Sequence, residues 1–460
     1  MMINHSLQKV NFNGALRVHP TNGRYFGDAG GRAIYLTGSH TWANVQEIKA
    51  AGDADFQYTE FLDMLTANHH NFMRMWQWIH PEMAPWTADK LIFSPLPYAR
   101  PGPGLAQDGQ PKFDLTQWNE AYFDRLRQRV IAAGERGIYV SVMFFEGWCI
   151  KNAKPVSDPW LGHPYNGANN INGVHGDADS DGKADIFSLE IPEIVEVQKA
   201  FVRKVVDTLN DQDHLIWEIL NEIANDERGL HWHYAMIDYV HDYEKSRPKQ
   251  HPVGMTAEGG SQDNTLLFAS NADWISPGAG PDQEYKYNPP ASDGRKVILT
   301  DTDHIWGHGG HYVWAWKSCL RGLNPLFMDP WQPIPGQPLH GFIRGDDLNT
   351  RDYPAWEPLR RNLGYVRRYV ERMNLAAAAP HNNLASTGYC LANPGAEYLV
   401  YLPEGGGVRV NLTAATGELA VEWFNPRTGE TMMAEPVIGG SRQELFAPFA
   451  GDAVLFIYAD

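Results

Sequence analysis

Over the first 375 residues, short runs of consecutive apolar residues alternate with longer stretches in which apolar side chains recur every three or four positions. The runs read as strands: RAIYLTG (32–38), NFMRMW (71–76), IYVSVMFF (138–145), HLIWEIL (214–220), PVGMTA (252–257), DWISPG (273–278), KVILT (296–300) and NPLFMD (324–329). Amphipathic helices are expected between them at 52–68, 118–137, 191–210, 231–246, 311–322 and 353–373, whereas the Pro/Gly-rich PGAGPDQEYKYNPPASDG follows the sixth run. Continuous apolar runs, as opposed to alternating ones, mark strands buried on both faces, and eight βα steps in this order predict an α/β fold, a (β/α)8 TIM barrel. Residues 7–31, with turn signals at PTNGR and DAGGR, predict a hairpin that closes the barrel floor.

After Met373 the pattern changes. NLAAAAPHNN reads as a linker, and EYLVYL, GVRVNL, LAVEWF and AVLFIY, separated by Gly- and Asn-containing turns, predict a small C-terminal all-β sandwich. The expected domains are therefore a barrel over 1–376 and a sandwich over 377–460, the latter a structural cap whose EWFNPRTGE could also contact carbohydrate.

Composition narrows the function. A net charge of -17 argues against nucleic acid, whose phosphates need a basic surface. No stretch approaches the ~18 apolar residues of a membrane span, so a soluble protein is expected, cytoplasmic or, if a signal peptide was removed, secreted or periplasmic. Three scattered cysteines, Cys149, Cys319 and Cys390, are too few for a disulfide framework or a thiolate zinc site. Sixteen tryptophans, several beside polar residues as in MRMWQWIHPEMAPW, suit either the C–H faces of sugar rings or a large core.

In such barrels the active site lies at the C-terminal ends of the strands. Those ends carry Ser39, His40 and Trp42; Arg74 and Trp76; Glu146 and Trp148; Asn221 and Glu222; Glu258; Asp301, Asp303 and His304; and Asp329 and Trp331. Glu218, in mid-strand, is expected to be a structural ion-pair partner.

WEILNE, a fourth strand running into Asn-Glu, together with an arginine near the end of strand two, resembles the clan A glycoside hydrolases. GRAIYLTGSHTW near the start and a C-terminal β domain of the collagen-binding type resemble the apiosidase-like branch. The resemblance implies a glycosidase cleaving O-glycosidic bonds of a neutral glycan by a two-carboxylate, retaining mechanism, with Glu222 as general acid/base and Asn221 as ligand of a neighbouring sugar hydroxyl. Strand seven ends in KVILTDTDHIWG, where the clan has glutamate. Period-two alternation points Asp301 and Asp303 to one side, and Asp303, nearer the mouth, is the favoured second carboxylate. The shorter side chain leaves retention or inversion open. His40, Trp42, Arg74, Trp76, Glu146, Glu258, His304, Trp306, Asp329 and Trp331 are the remaining candidate substrate contacts.

The motif Asp177-x-Asp179-x-Asp181-Gly182-x-x-Asp185 matches the first nine positions of a calcium loop, with Ser188 where a bidentate glutamate belongs, and structural calcium is the competing reading to a solvated acidic loop. No cofactor is expected for catalysis, since HEXXH, a strand HxH, GxSxG, a P-loop and a dinucleotide glycine pattern are all missing. The readings that compete with a glycosidase are a polysaccharide lyase or transglycosylase using the same cleft, and a non-catalytic carbohydrate-binding protein on a decayed barrel.

Overall fold

The computed structural model describes residues 12–222, 227–257, 263–307, 309–331 and 354–459 of the chain. Its centre is a parallel eight-stranded sheet: strand one (Gly38–His40), two (Phe72–Met75), three (Tyr139–Glu146), four (Leu215–Asn221), five (Val253–Thr256), six (Trp274–Ser276), seven (Val297–Asp301) and eight (Asn324–Met328), running one-eight-seven-six-five-four-three-two. Strands one and two complete the ring without a regular ladder. The Asn71 amide donates to the Thr37 carbonyl at 3.0 Å. The Asn44 side chain then bridges the pair, donating to the Arg74 carbonyl at 2.5 Å and accepting from the Trp76 amide at 3.0 Å. A side chain at Gly38 could not fit here, because its Cβ would lie 2.1 Å from the Phe72 carbonyl oxygen.

Strand one thus lies later in the chain than its apolar run suggests. Ala33–Ile34 pairs instead with Phe26–Gly27, which pairs with Arg17–Val18 in a three-stranded floor sheet. Between the two segments, the Leu36 and Thr37 amides donate to the side chains of Asn324 and Asn71 at 3.2 and 3.0 Å, which interrupts the backbone ladder. Leu16, Phe26, Ile34, Leu36, Trp274 and Leu299 form the apolar plug under the barrel.

Helices Tyr58–Ala67, Glu120–Gly134, Pro192–Leu209, Glu227–Glu244, Tyr312–Leu320 and Trp356–Val370 cover the sheet. Pro192–Leu209 begins with proline at its first turn, where no amide partner is needed, and turns Ile194, Phe201, Val202, Val205 and Leu209 inward. The first helix starts six residues after its predicted limit, since the Phe56 amide is held by Glu47 at 2.6 Å and the chain before it is not helical. After strand six only the four-residue helix Glu284–Tyr287 forms. Two long excursions were not foreseen. The segment after strand two builds a small antiparallel sheet from Glu82–Ala84 and Thr87–Ser94 with Glu47–Lys49, and the segment after strand three carries the acidic loop.

The C-terminal region is a β-sandwich, with a six-stranded antiparallel sheet and a pair formed by Gly407–Asn411 and Arg442–Phe446. It shares a core with the barrel: Trp316, Val366 and Tyr369 of the last two helices pack with Leu399, Tyr401, Phe424 and Phe456. No described helix is long and apolar enough to cross a membrane.

Phe424 touches Trp316, Tyr365 and Tyr369 at ring separations of 6.0, 5.0 and 5.2 Å, so it joins the two regions directly. Phe424→Ala is expected to destabilise by about 3–5 kcal/mol. Tryptophan fluorescence and far-ultraviolet circular dichroism should shift together in urea; a sandwich that melted alone while the barrel kept its midpoint would contradict a shared core.

Candidate active site

Arg74 projects from strand two into the barrel, and its side chain is 1% exposed. Nε and Nη2 grip Glu218 of strand four at 2.9 and 2.5 Å, Nη2 also reaches Asn221 Oδ1 at 2.8 Å, and Nη1 donates to both Asp301 and Asp303 at 2.9 Å. The expected ion-pair role of Glu218 is the one observed. Asp301 is fully buried and accepts from His40 Nε2. Because the Trp76 indole can only donate, and does so to His40 Nδ1 at 3.0 Å, the imidazole proton sits on Nε2 and points at Asp301. Burial raises the Asp301 pKa, but His40 and Arg74 outweigh it and hold this carboxyl well below the usual range.

Asp303 reaches the same guanidinium by a different route from the alternation expected. The strand ends at Asp301, whose side chain caps a helical turn, Thr302–Ile305, by accepting from the Asp303 amide at 3.0 Å. The turn swings Asp303 over the barrel mouth and supplies reach that the shorter side chain lacks. Burial lifts its pKa to about 6 against the pull of Arg74, and the Asp301 charge adds to the rise.

Glu222 follows strand four with φ of 52°, a left-handed conformation seldom adopted by a residue with a side chain. The turn is tightly packed. The Gly147 amide donates to the Asn221 carbonyl at 2.9 Å, and a Cβ on Gly147 would lie 3.0 to 3.1 Å from the carbonyls of Asn221 and Glu222. Carboxylate oxygens of Glu222 and Asp303 and a ring nitrogen of His304 lie within 4.8 Å of one another. Burial, then the charges of Asp303 and Glu146, push the Glu222 pKa well above normal. Glu146, at the end of strand three, accepts from the Cys149 amide, and burial lifts it to about 8.

His304 commits both ring nitrogens, to Ser276 Oγ at 2.8 Å and Asn221 Oδ1 at 3.1 Å. Burial lowers its pKa to about 3, so the ring is neutral. Asn221 Oδ1 therefore accepts from Arg74 and His304, which leaves its amide NH2 facing the cleft.

Trp42, Trp76, Trp78, Trp86 and Trp148 wall this cleft with Glu146, Asn221, Glu222, Asp303, Gly307 and Met328. Trp76 and Trp78 stack at 5.6 Å, and Trp42 lies 4.7 Å from Trp86. Trp78 and Trp86 were missed at the sequence level, although Trp78 lies two residues beyond Trp76 and alternation alone would put it on the same face. Of the predicted contacts, His40, Arg74 and His304 do not line the cleft but are buried against the side chains of Asp301 and Asn221, and three more pack elsewhere. Asp329 is buried in a two-point ion pair with Arg360, Nε–Oδ2 2.8 Å and Nη2–Oδ1 2.5 Å. Trp306 packs edge-on against Trp314, and Trp331 packs against Phe61. Glu258 lies outside the described residues.

Residues 86–276, which include Glu146 and Glu222, match a family described as a domain of unknown function, DUF6298. Residues 379–457 match the family described as "Putative collagen-binding domain of a collagenase". No curated protein matches the chain by sequence. Among solved structures, one described as a glycoside hydrolase is 12% identical with TM-score 0.63, the match covering 97% of each chain. A glycoside hydrolase family 5 protein from Bacteroides vulgatus is 13% identical with TM-score 0.63, covering 97% of this chain and 94% of that one. At such identity the likeness is one of fold: a TIM barrel followed by a β domain, across the whole length.

The raised pKa of Glu146 carries a stability consequence. The folded state holds this proton more tightly than an unfolded glutamate, which titrates near 4.3, so the stability it contributes is complete below that pH and is lost as pH rises through about 8. Glu146→Gln should leave stability unchanged near pH 4 and raise it by up to about 5 kcal/mol near pH 9, as read from denaturant midpoints. Equal stability of the two proteins at both pH values would show that Glu146 titrates normally.

Proposed function

We propose that this protein is a glycoside hydrolase that cleaves O-glycosidic bonds of a neutral glycan with Glu222 as general acid/base and Asp303 as nucleophile. The observation that carries the reading is the pairing of these two carboxyl groups, with oxygens within 4.8 Å of each other, at the mouth of a tryptophan-walled cleft. Retaining glycosidases hold their carboxyl groups about 5–5.5 Å apart, and inverting ones about 6.5–9.5 Å, to admit a water. The spacing favours retention.

The roles follow from the surroundings of each group. Asp303 is ionised at neutral pH because its pKa is about 6, and the Arg74 Nη1 bond directs its charge. Glu222, pushed well above the ordinary range, keeps its proton. In the first step Glu222 protonates the glycosidic oxygen while an Asp303 oxygen bonds to the anomeric carbon, so the leaving group departs as an alcohol and a glycosyl ester remains. Glu222, now a carboxylate, takes a proton from water; the hydroxide oxygen bonds to the same carbon, and Asp303 is released. Asn221 offers its free amide hydrogens to a sugar hydroxyl beside the reacting carbon, and the indole faces take the C–H faces of the ring. A screen of aryl glycosides with pentosides included tests the apiosidase-like resemblance.

Glu222→Gln should lower kcat on natural glycosides by roughly 10²–10⁴-fold and spare aryl glycosides with good leaving groups, which need little protonation. Equal loss on both would remove Glu222 as the acid. For the wild type, kcat/KM should rise with pH as Asp303 ionises near 6 and fall at higher pH as Glu222 gives up its proton. NMR of the first product formed should show the anomeric configuration of the substrate, and an inverted product would overturn the double displacement.

A further inference from the structure

A second cluster of carboxylates lies outside the cleft, in the excursion after strand three. Asp177, Asp179 and Asp185 each place a carboxylate oxygen within 4.8 Å of the others. Asp177 decides how the cluster is to be read. Its side chain is only 4% exposed; Oδ2 accepts from the Gly182 amide at 3.0 Å, while Oδ1 is buried with no hydrogen-bond partner. A buried, negatively charged oxygen with no donor is costly, and two further carboxylates beside it increase the cost. A solvated acidic loop would have no reason to bury one of its charges.

We propose that this loop binds a calcium ion. All the groups offered are oxygens, which suits a hard divalent cation, and several ligands on one short loop suit calcium better than magnesium, which keeps most of its waters. Asp177, Asp179 and Asp185 are the primary ligands, with Asp181 and the Lys183 carbonyl at the intervening loop positions. Lys183 now pairs with Asp181 at 2.5 Å, and Arg228 lies 3.2 Å from Asp185. Both pairs are exposed and contribute little, so an ion can replace them. With Ser188 at the twelfth position in place of a bidentate glutamate, the dissociation constant should be weak, on the order of 10⁻⁴ M. Gly182 to Asp185 also line a pocket of about 590 Å³ that Ile150 and Lys151, a few residues beyond Glu146, line as well. The ion would hold that part of the lining in place.

Trp160 stacks on His175 at 6.1 Å, and His175 lies 3.8 Å from Asp177, so a terbium ion in the loop should be sensitised by indole excitation. The full-length protein is titrated with terbium and then with calcium, and melted in calcium or in chelator. Sensitised emission displaced by millimolar calcium, with a melting temperature about 2–5 °C higher in calcium, is the expected result. Asp179→Asn, at an exposed position that leaves folding intact, should weaken terbium binding at least ~10-fold, whereas Glu222→Gln should leave it unchanged. Absent emission, emission that calcium does not displace, an unchanged melting temperature in chelator, or full binding by Asp179→Asn would each overturn the site.

Discussion

A single buried guanidinium sets the terms for everything at the barrel mouth. Arg74 faces three carboxylates and an amide oxygen from strand four, strand seven and the turn beyond it, and one positive charge cannot balance three negative ones. The imbalance is distributed by position. Glu218 takes the two-point grip deep in the barrel, and Asp301, with a further donor from His40, stays ionised. Asp303 is left with a share of one Nη1 and a raised pKa, and Glu222, buried beside the charges of Asp303 and Glu146, is raised as well. Proton affinity therefore climbs from the barrel interior to its mouth. Two neighbouring carboxyls whose environments push their pKa values apart are what acid and nucleophile require.

The tryptophan wall makes this gradient steep. Water would screen the carboxylates from one another and flatten the differences, whereas the indoles that line the cleft leave it less room there. The wall is assembled from distant parts of the chain: strand one brings Trp42, strand two and its excursion bring Trp76, Trp78 and Trp86, and strand three brings Trp148. Gly147 lets the ends of strands three and four approach closely beside Glu222, whose unfavourable φ is balanced by the packing around it.

What could be read in advance follows the range of the interactions involved. Eight apolar runs ending in polar residues depend only on local pattern, and so did the mid-strand Glu218, whose charge in a buried run demanded a partner. The split of strand one depends on Asn71 and Asn324, side chains 34 and 288 residues from the amides they capture, and no window along the chain contains them. Asp303 reached Arg74 through a helical turn that Asp301 caps, a competition between strand and cap that alternation cannot weigh. Asp329 stood at a strand end like its neighbours, but Arg360, 31 residues on, takes both of its oxygens. A strand end places a residue at the rim; what it faces there is decided by elements that arrive later.

Arg360 also explains how the C-terminal sandwich bears on the site. It belongs to the helix Trp356–Val370, which turns Val366, Tyr369 and Val370 into the core shared with the sandwich. Tyr369 donates to Glu422 of the sandwich at 2.6 Å, and Arg372, just beyond the helix, pairs with the same carboxylate. Through Arg360 this helix grips Asp329, whose amide in turn donates to the carbonyl of His40 at 2.8 Å, and His40 is the residue that orients Asp301. Asn362 extends the tie by donating to the Pro426 carbonyl in the turn of EWFNPRTGE, so that stretch is engaged with the barrel. A rigid helix anchored at one end by the sandwich and at the other by a rim ion pair transmits position along its length. The sandwich therefore acts as a buttress for strands seven, eight and one, the wall that carries Asp301 and His40.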